Sequence, residues 1–220
     1  MNKTMKAYKG LPMEGVIASW YAKTTFKDIN RHKSVAKQLV EKIPANGSVL
    51  EIAPGPGYFC IELAKLGDFQ IMGLDISKSF VEIARRNAAK EALKIDFREG
   101  NASAMPFASE TFDFTFCQAA FKNFSEPVKA ISEMYRVLKS GGVAVIADMR
   151  NDASADDIQR EIQGMNLDRI NAFLVKWTFD HMLLKSAYSI EEIKAMAAQT
   201  PFGKCKIEVK GIGFQAWLER

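Results

Sequence analysis

Histidine and cysteine are scarce in this chain, and each scarcity narrows what it can do. His32 and His181 are its two histidines, and they stand far apart. Cys60, Cys117 and Cys205 are odd in number and widely separated. That spacing matches neither a zinc site nor a disulfide framework, and it suits reduced thiols in a cytoplasm. No metal is expected. No run approaches the roughly 18 apolar residues that a membrane span requires, so no membrane partner is expected. The opening MNKTMKAYKG lacks an apolar signal core, which speaks against export. There is no internal repeat, no low-complexity segment and no G-x-x-x-x-G-K-[ST] phosphate loop.

What is present is an ordinary globular composition, 48% hydrophobic and 25% charged over 220 residues. This is enough for one good core with a small accessory region. The net charge of +4 is too small to argue for nucleic acid. It is uneven, however: up to Lys42 there are nine Lys or Arg against three acids, Glu14, Asp28 and Glu41. A solvated helix face explains this excess, and attraction of an anionic substrate is the alternative.

The chain is organised around Val49 to Phe59, VLEIAPGPGYF. Ser48 to Ile52 reads as one buried strand, the glycines and prolines as a loop, and Tyr58 onward as a helix. That order sets bare backbone and a helix N-terminus beside a strand's C-terminal end, where open α/β sheets bind nucleotides. A dinucleotide fingerprint would need glycine at position 60, which is Cys60. Pro54 and Pro56 each delete an N–H that a pyrophosphate would use. Glu51, at the strand tip, would repel a phosphate and attract an ammonium group. A cationic, amino-acid-bearing adenosine fits this loop better than a dinucleotide.

Along the rest of the chain, strands and helices alternate. Residues 1–26 show no clean period but carry Tyr8, Trp20, Tyr21 and Phe26, a candidate lid. Asp28 to Ile43 is helical in pattern, with Asp28 as N-cap. Strands are expected at 70–75, 95–98, 112–117 and 143–147. Helices are expected at about 77–93 and 127–138, the second closed by Gly141-Gly142. Residues 149–203 read as wholly helical, and 204–220 as an antiparallel hairpin turning at Gly211 to Gly213. The alternation predicts a parallel, three-layer α/β sheet.

Glu51-x-Ala53-x-Gly55-x-Gly57 resembles the E/D-x-G-x-G-x-G motif of class I S-adenosylmethionine-dependent methyltransferases. Asp75, 20 residues beyond Gly55 at the end of the second strand, can accept both ribose hydroxyls. Gly100-Asn101-Ala102 resembles the segment that reads the adenine edge, and RVLKSGGVAVIAD resembles the family's R-V-L-K-P-G-G stretch. The likeness covers about residues 47–150 and is closest to the small-molecule, quinone-biosynthesis type. It implies a Rossmann-like α/β/α sandwich with a mostly parallel seven-stranded sheet and an antiparallel C-terminal strand. It further implies a single domain: lid and helix 1–43, cofactor core 47–150, helical substrate cap 151–203 and hairpin 204–220.

The implied cofactor is S-adenosyl-L-methionine, held by Glu51, Ala53, Gly55, Gly57, Asp75, Ile76, Asn101, Ala102 and Gln118. The implied activity is in-line methyl transfer to a small-molecule acceptor. Neither an L-H-H-type string nor an N-P-P-Y/F tetrad stands after the fourth strand. Candidates to orient or deprotonate the acceptor are therefore Tyr21, Lys122, Asn123, Asp148 and Arg150. His181, in an aromatic helical pattern, reads as a packed residue. Two other readings remain: a non-catalytic module of the same fold that binds RNA or a protein, and an NAD(P)-dependent oxidoreductase.

Overall fold

A computed structural model describes residues 8–9, 13–165, 175–177 and 184–220. His181 and most of the aromatic stretch 170–188 lie outside these residues. The described elements begin with α1 (Gly15–Thr25), α2 (Ile29–Leu39), β1 (Ser48–Ile52), α3 (Tyr58–Ala64) and β2 (Gln70–Asp75). They continue with α4 (Lys78–Lys90), β3 (Asp96–Glu99), β4 (Phe112–Gln118), α5 (Pro127–Val137) and β5 (Leu138–Met149). The last are α6 (Ala155–Gly164), α7 (Ile190–Ala198), β6 (Lys206–Lys210) and β7 (Gly213–Glu219).

One seven-stranded sheet runs β3-β2-β1-β4-β5-β7-β6. Its first five strands are mutually parallel, and β7 inserts antiparallel between β5 and β6. This is the expected mixed sheet. Strand order reverses between β1 and β4, so their C-terminal ends open the crevice in which such sheets bind ligands.

Period-two alternation divides the core between two faces. Val49, Ile71, Phe114, Phe116 and Val145 pack with α2, α3 and α4. Leu50, Ile52, Leu74, Cys117 and Ile146 pack with α5 and α7. Helix starts follow their side chains. Ser77 accepts from Phe80 N at 3.1 Å to begin α4, and Ser154/Asp157 and Ser189/Glu192 form capping boxes for α6 and α7.

Three details depart from the sequence reading. Residues 15–25 form a helix despite their missing period, because α1 buries only the small Ala18 and Ala22. The Gly141-Gly142 pair does not close α5. That helix ends at Val137 and passes straight into β5, where the glycines sit in a register shift between the Phe112↔Leu138 and Phe114↔Val143 pairs. Gly141 has φ 77°, which glycine adopts without strain. Within 149–203 the described residues include β5's last residue, turns at Asn151 and Asp152, and helices α6 and α7.

Candidate active site

The loop between β1 and α3 turns by alternating left-handed residues with prolines. Ala53, Gly55 and Gly57 have φ of 56°, 54° and 79°, with Pro54 and Pro56 between them. Gly57 is needed twice over, since a Cβ there would lie 2.8 Å from Phe97 Cζ and 3.0 Å from Ala84 Cβ. The three N–H groups of this turn all donate inside the protein. Ala53 N donates to Leu74 O at 2.8 Å, Gly55 N to Asp75 Oδ2 at 2.9 Å, and Gly57 N to Pro54 O at 3.0 Å. None of them points out to cradle a phosphate.

Glu51 shares its sheet face with Val49, the face covered by α3. Its buried Oε2 accepts from Cys60 N at 3.2 Å and from Cys60 Sγ at 2.9 Å. Cys60 is the third residue of α3, so the carboxylate satisfies an N–H that the helix's first turn leaves open. Burial nevertheless pushes Glu51 up to about 7, with the Asp75 charge adding to the rise. Burial also holds the Cys60 thiol well above its usual range, so it stays a protonated donor.

Asp75 ends β2, and its buried side chain spans two loops. Oδ2 takes Gly55 N, and Oδ1 takes Ser77 N at 2.9 Å. Burial pushes Asp75 up to about 6 against the pull of those two donors. Each oxygen retains a lone pair for a hydroxyl. Among the described residues, neither Glu51 nor Asp75 has a Lys or Arg partner; the described salt bridges lie elsewhere. Two buried carboxylates therefore stand at neighbouring strand ends with no protein cation.

The remaining candidates line the same end of the sheet. Ile76 exposes an apolar side chain next to Asp75. Gly100 N donates to Asp75 O at 2.9 Å, bringing the next loop against β2. In that loop Asn101 Oδ1 accepts from Ser103 N at 2.9 Å, and Ala102 packs on the core. Gln118, the last residue of β4, has its Oε1 buried without a hydrogen-bond partner. A ligand donor would meet that oxygen.

On the acceptor side the structure joins two residues that the sequence left separate. Lys122 Nζ lies 2.8 Å from Asp148 Oδ1, both buried. Lys122 N also donates to Asp148 Oδ2 at 3.1 Å, and Lys122 Nζ to Ala119 O at 3.0 Å. The two charges neutralise one another and brace the chain as it leaves β4. Arg150 is likewise committed, at 3.0 Å to Asp152 and 2.8 Å to Asp157. Asn123 offers its backbone oxygen to Lys9 N at 2.8 Å.

Tyr21 packs edge-on against Phe80, ring centroids 5.7 Å apart. A ring that the sequence named only among the lid aromatics also feels the carboxylates. Tyr8 bridges Phe124, and its hydroxyl is held above its ordinary value by burial and then by Tyr21, Asp75 and Asp148. Beside it, Lys9 Nζ donates to Tyr188 Oη at 2.6 Å, tying the N-terminal segment to the residues before α7.

Residues 50–146 match the family model described as a methyltransferase domain. A demethylmenaquinone methyltransferase of Deinococcus radiodurans is 36% identical over 107 residues, which are 48% of this chain and 44% of the relative. A protein of the same name from Thermus thermophilus is 31% identical over 122 residues, 55% of this chain and 54% of the relative. The chain thus spans about half the length of the curated relatives it matches. A solved structure from Methanococcus maripaludis, described as an S-adenosyl-L-methionine-dependent methyltransferase, superposes with a TM-score of 0.74 at 22% identity. The match covers 93% of this chain and 92% of that one. At that identity the likeness establishes the fold.

Proposed function

We propose, from the match of residues 50–146 to the family model described as a methyltransferase domain, that the chain transfers a methyl group from S-adenosyl-L-methionine to a small-molecule acceptor. The observation that carries the proposal is the pair of buried carboxylates, Glu51 and Asp75, without a counter-ion among the described residues, beside a loop whose N–H groups are all spent. Such a site disfavours a pyrophosphate and favours a ligand bearing positive charge. When bound, the cofactor would supply an activated methyl on a sulfonium.

The chain's residues then hold and orient. Asp75 would accept the ribose hydroxyls with its remaining lone pairs, and Ile76 and Ala102 would lie against the adenine. Asn101 would read the adenine edge through its amide. Gln118 Oε1 would accept from the ammonium, and Glu51 would act at longer range through its charge. The Lys122–Asp148 pair braces the acceptor side and is not the proton acceptor. Tyr8 and Tyr21, from the N-terminal lid, exclude water from the sulfonium. Helices α6 and α7 cover the acceptor.

The relatives' names make a demethylmenaquinone-type quinol the first acceptor to assay. Nucleic acid is not the acceptor on this reading, and three free cysteines support a cytoplasmic place. Titration calorimetry with S-adenosylmethionine, S-adenosylhomocysteine and NADH tests the cofactor. Heat with NADH and none with either adenosyl ligand overturns the proposal. Binding of the adenosyl ligands without turnover of any quinol would favour the non-catalytic reading.

A further inference from the structure

Helix α1 is amphipathic in reverse. Its buried face consists of the small Ala18 and Ala22, set against Phe80 and Ile83 of α4. Tyr21 packs inward on Phe80, but the other large apolar residues point outward: Val16 is 85% exposed, Trp20 65% and Ile17 45%, and Phe26 just beyond is 58% exposed. A helix built only to fill a core places its large side chains inward. Here the outward ridge of Val16 and Trp20 is the larger apolar surface, and an exposed patch of this kind marks an interaction site.

The charge around the ridge selects the occupant. Lys23 follows Trp20 by three residues on the same face, Lys27 follows one turn later, and both are exposed. No acid lies within α1. Glu14, just before it, is turned to Ser79 N at 3.0 Å. The groove beside Val16 holds Arg86 and Glu82, one of each sign. A second copy of the same face would bring two surfaces of like positive charge together, which repels. An anionic lipid headgroup layer meets both needs: apolar depth for Val16 and Trp20, and negative charge for the lysines.

We propose that the outer face of α1 seats the protein on an anionic bilayer surface, lying in the interface. This revises the expectation of no membrane partner, which came from the lack of a span; a helix that lies on a surface needs none. The inner side of the same segment is latched to the start of α4. Met13 O accepts from Ser77 Oγ at 2.6 Å, and Gly15 N donates to Ser79 Oγ at 2.9 Å. The seat and the Asp75 end of the site are therefore mechanically joined.

The test is flotation of the full chain with two kinds of vesicle, pure phosphatidylcholine and phosphatidylcholine with about one third phosphatidylglycerol. The expected result is binding to the anionic vesicles that falls with added salt. V16S/W20S should weaken it by roughly tenfold or more, and K23Q/K27Q should abolish the preference for phosphatidylglycerol. All four positions are exposed, so circular dichroism should be unchanged. No binding, equal binding to both vesicles, or unaltered binding by V16S/W20S overturns the proposal. So does a lipid-free dimer in light scattering that V16S/W20S dissociates, which would assign the face to a second copy.

Discussion

Cofactor binding should take up the charge problem at Glu51 and Asp75 and show it as a proton count. In the ligand-free chain burial raises Asp75 from 3.8 to about 6 and Glu51 from 4.5 to about 7. Raised carboxyl values mean that the fold penalises the ionised forms. The penalty is absent below about pH 4, grows up to about pH 6 for Asp75 and about pH 7 for Glu51, and is constant above, so these two groups make folding less favourable towards neutral pH. A sulfonium and an ammonium nearby reverse that penalty, and binding should then tighten as pH rises. At pH 6.5 about a quarter of Asp75 and about three quarters of Glu51 carry a proton, so binding should release about one proton in total. Were both groups returned to ordinary values, affinity would rise roughly 100-fold for each between about pH 4 and pH 8. Calorimetry in buffers of different ionisation enthalpy measures the proton count directly. Glu51→Gln, whose amide oxygen can still accept from Cys60, should reduce the release to about a quarter of a proton. Affinity that is flat from about pH 5.5 to pH 8, with heats independent of buffer, would refute the account.

Ala53→Gly should raise stability by roughly 0.5–1 kcal/mol in denaturant melts, the left-handed strain relieved less the entropy glycine adds; no gain would mean the turn carries no strain. Gly57→Ala, whose Cβ would meet Phe97 and Ala84, should cost about 2–3 kcal/mol. Gly55→Ala faces open space and should cost only about 1 kcal/mol, so equal losses would contradict the packing argument. Lys122→Met should destabilise by about 3 kcal/mol by leaving Asp148 buried and unpaired, and adding Asp148→Asn should recover part of it. A single variant as stable as wild type would show the pair to be dispensable.

The strands were legible because their apolar runs are short and punctuated. Ser48–Ile52 and Gln70–Asp75 have in the structure the bounds that pattern alone assigns. Glu51, Gly55, Gly57 and Asp75 were legible as a group because one strand-turn-helix unit and the next strand fix them. Contacts that depend on register or on distant chain were not. Lys122 and Asp148 lie 26 residues apart and meet because β4 and β5 stay paired up to Gln118↔Ala147, one residue before Asp148. Helix α1 escaped the periodicity because two alanines make no apolar stripe. Glu51 gave no sign that Cys60 would hold it, since that bond needs α3 to fold back over its strand face.

One economy in the loop links its shape to its charge preference. Left-handed residues at 53, 55 and 57 turn their N–H groups back into the protein, and prolines at 54 and 56 have none to offer. Asp75 takes one of those N–H groups, and Glu51 takes the N–H of Cys60 in the first turn of α3. Donors that in a phosphate loop would face an anionic ligand are thus spent on two of the protein's own anions. Each carboxylate is held well enough to stay in place and too weakly to be neutralised, since two neutral donors per group do not balance a buried charge. The unspent negative potential is what remains to act on a ligand. Replacing the first glycine of the motif by Ala53 does not disturb this, because the alanine keeps both the left-handed turn and the N–H bond to Leu74. The geometry that closes the turn and the electrostatics that select a cation therefore come from the same hydrogen bonds.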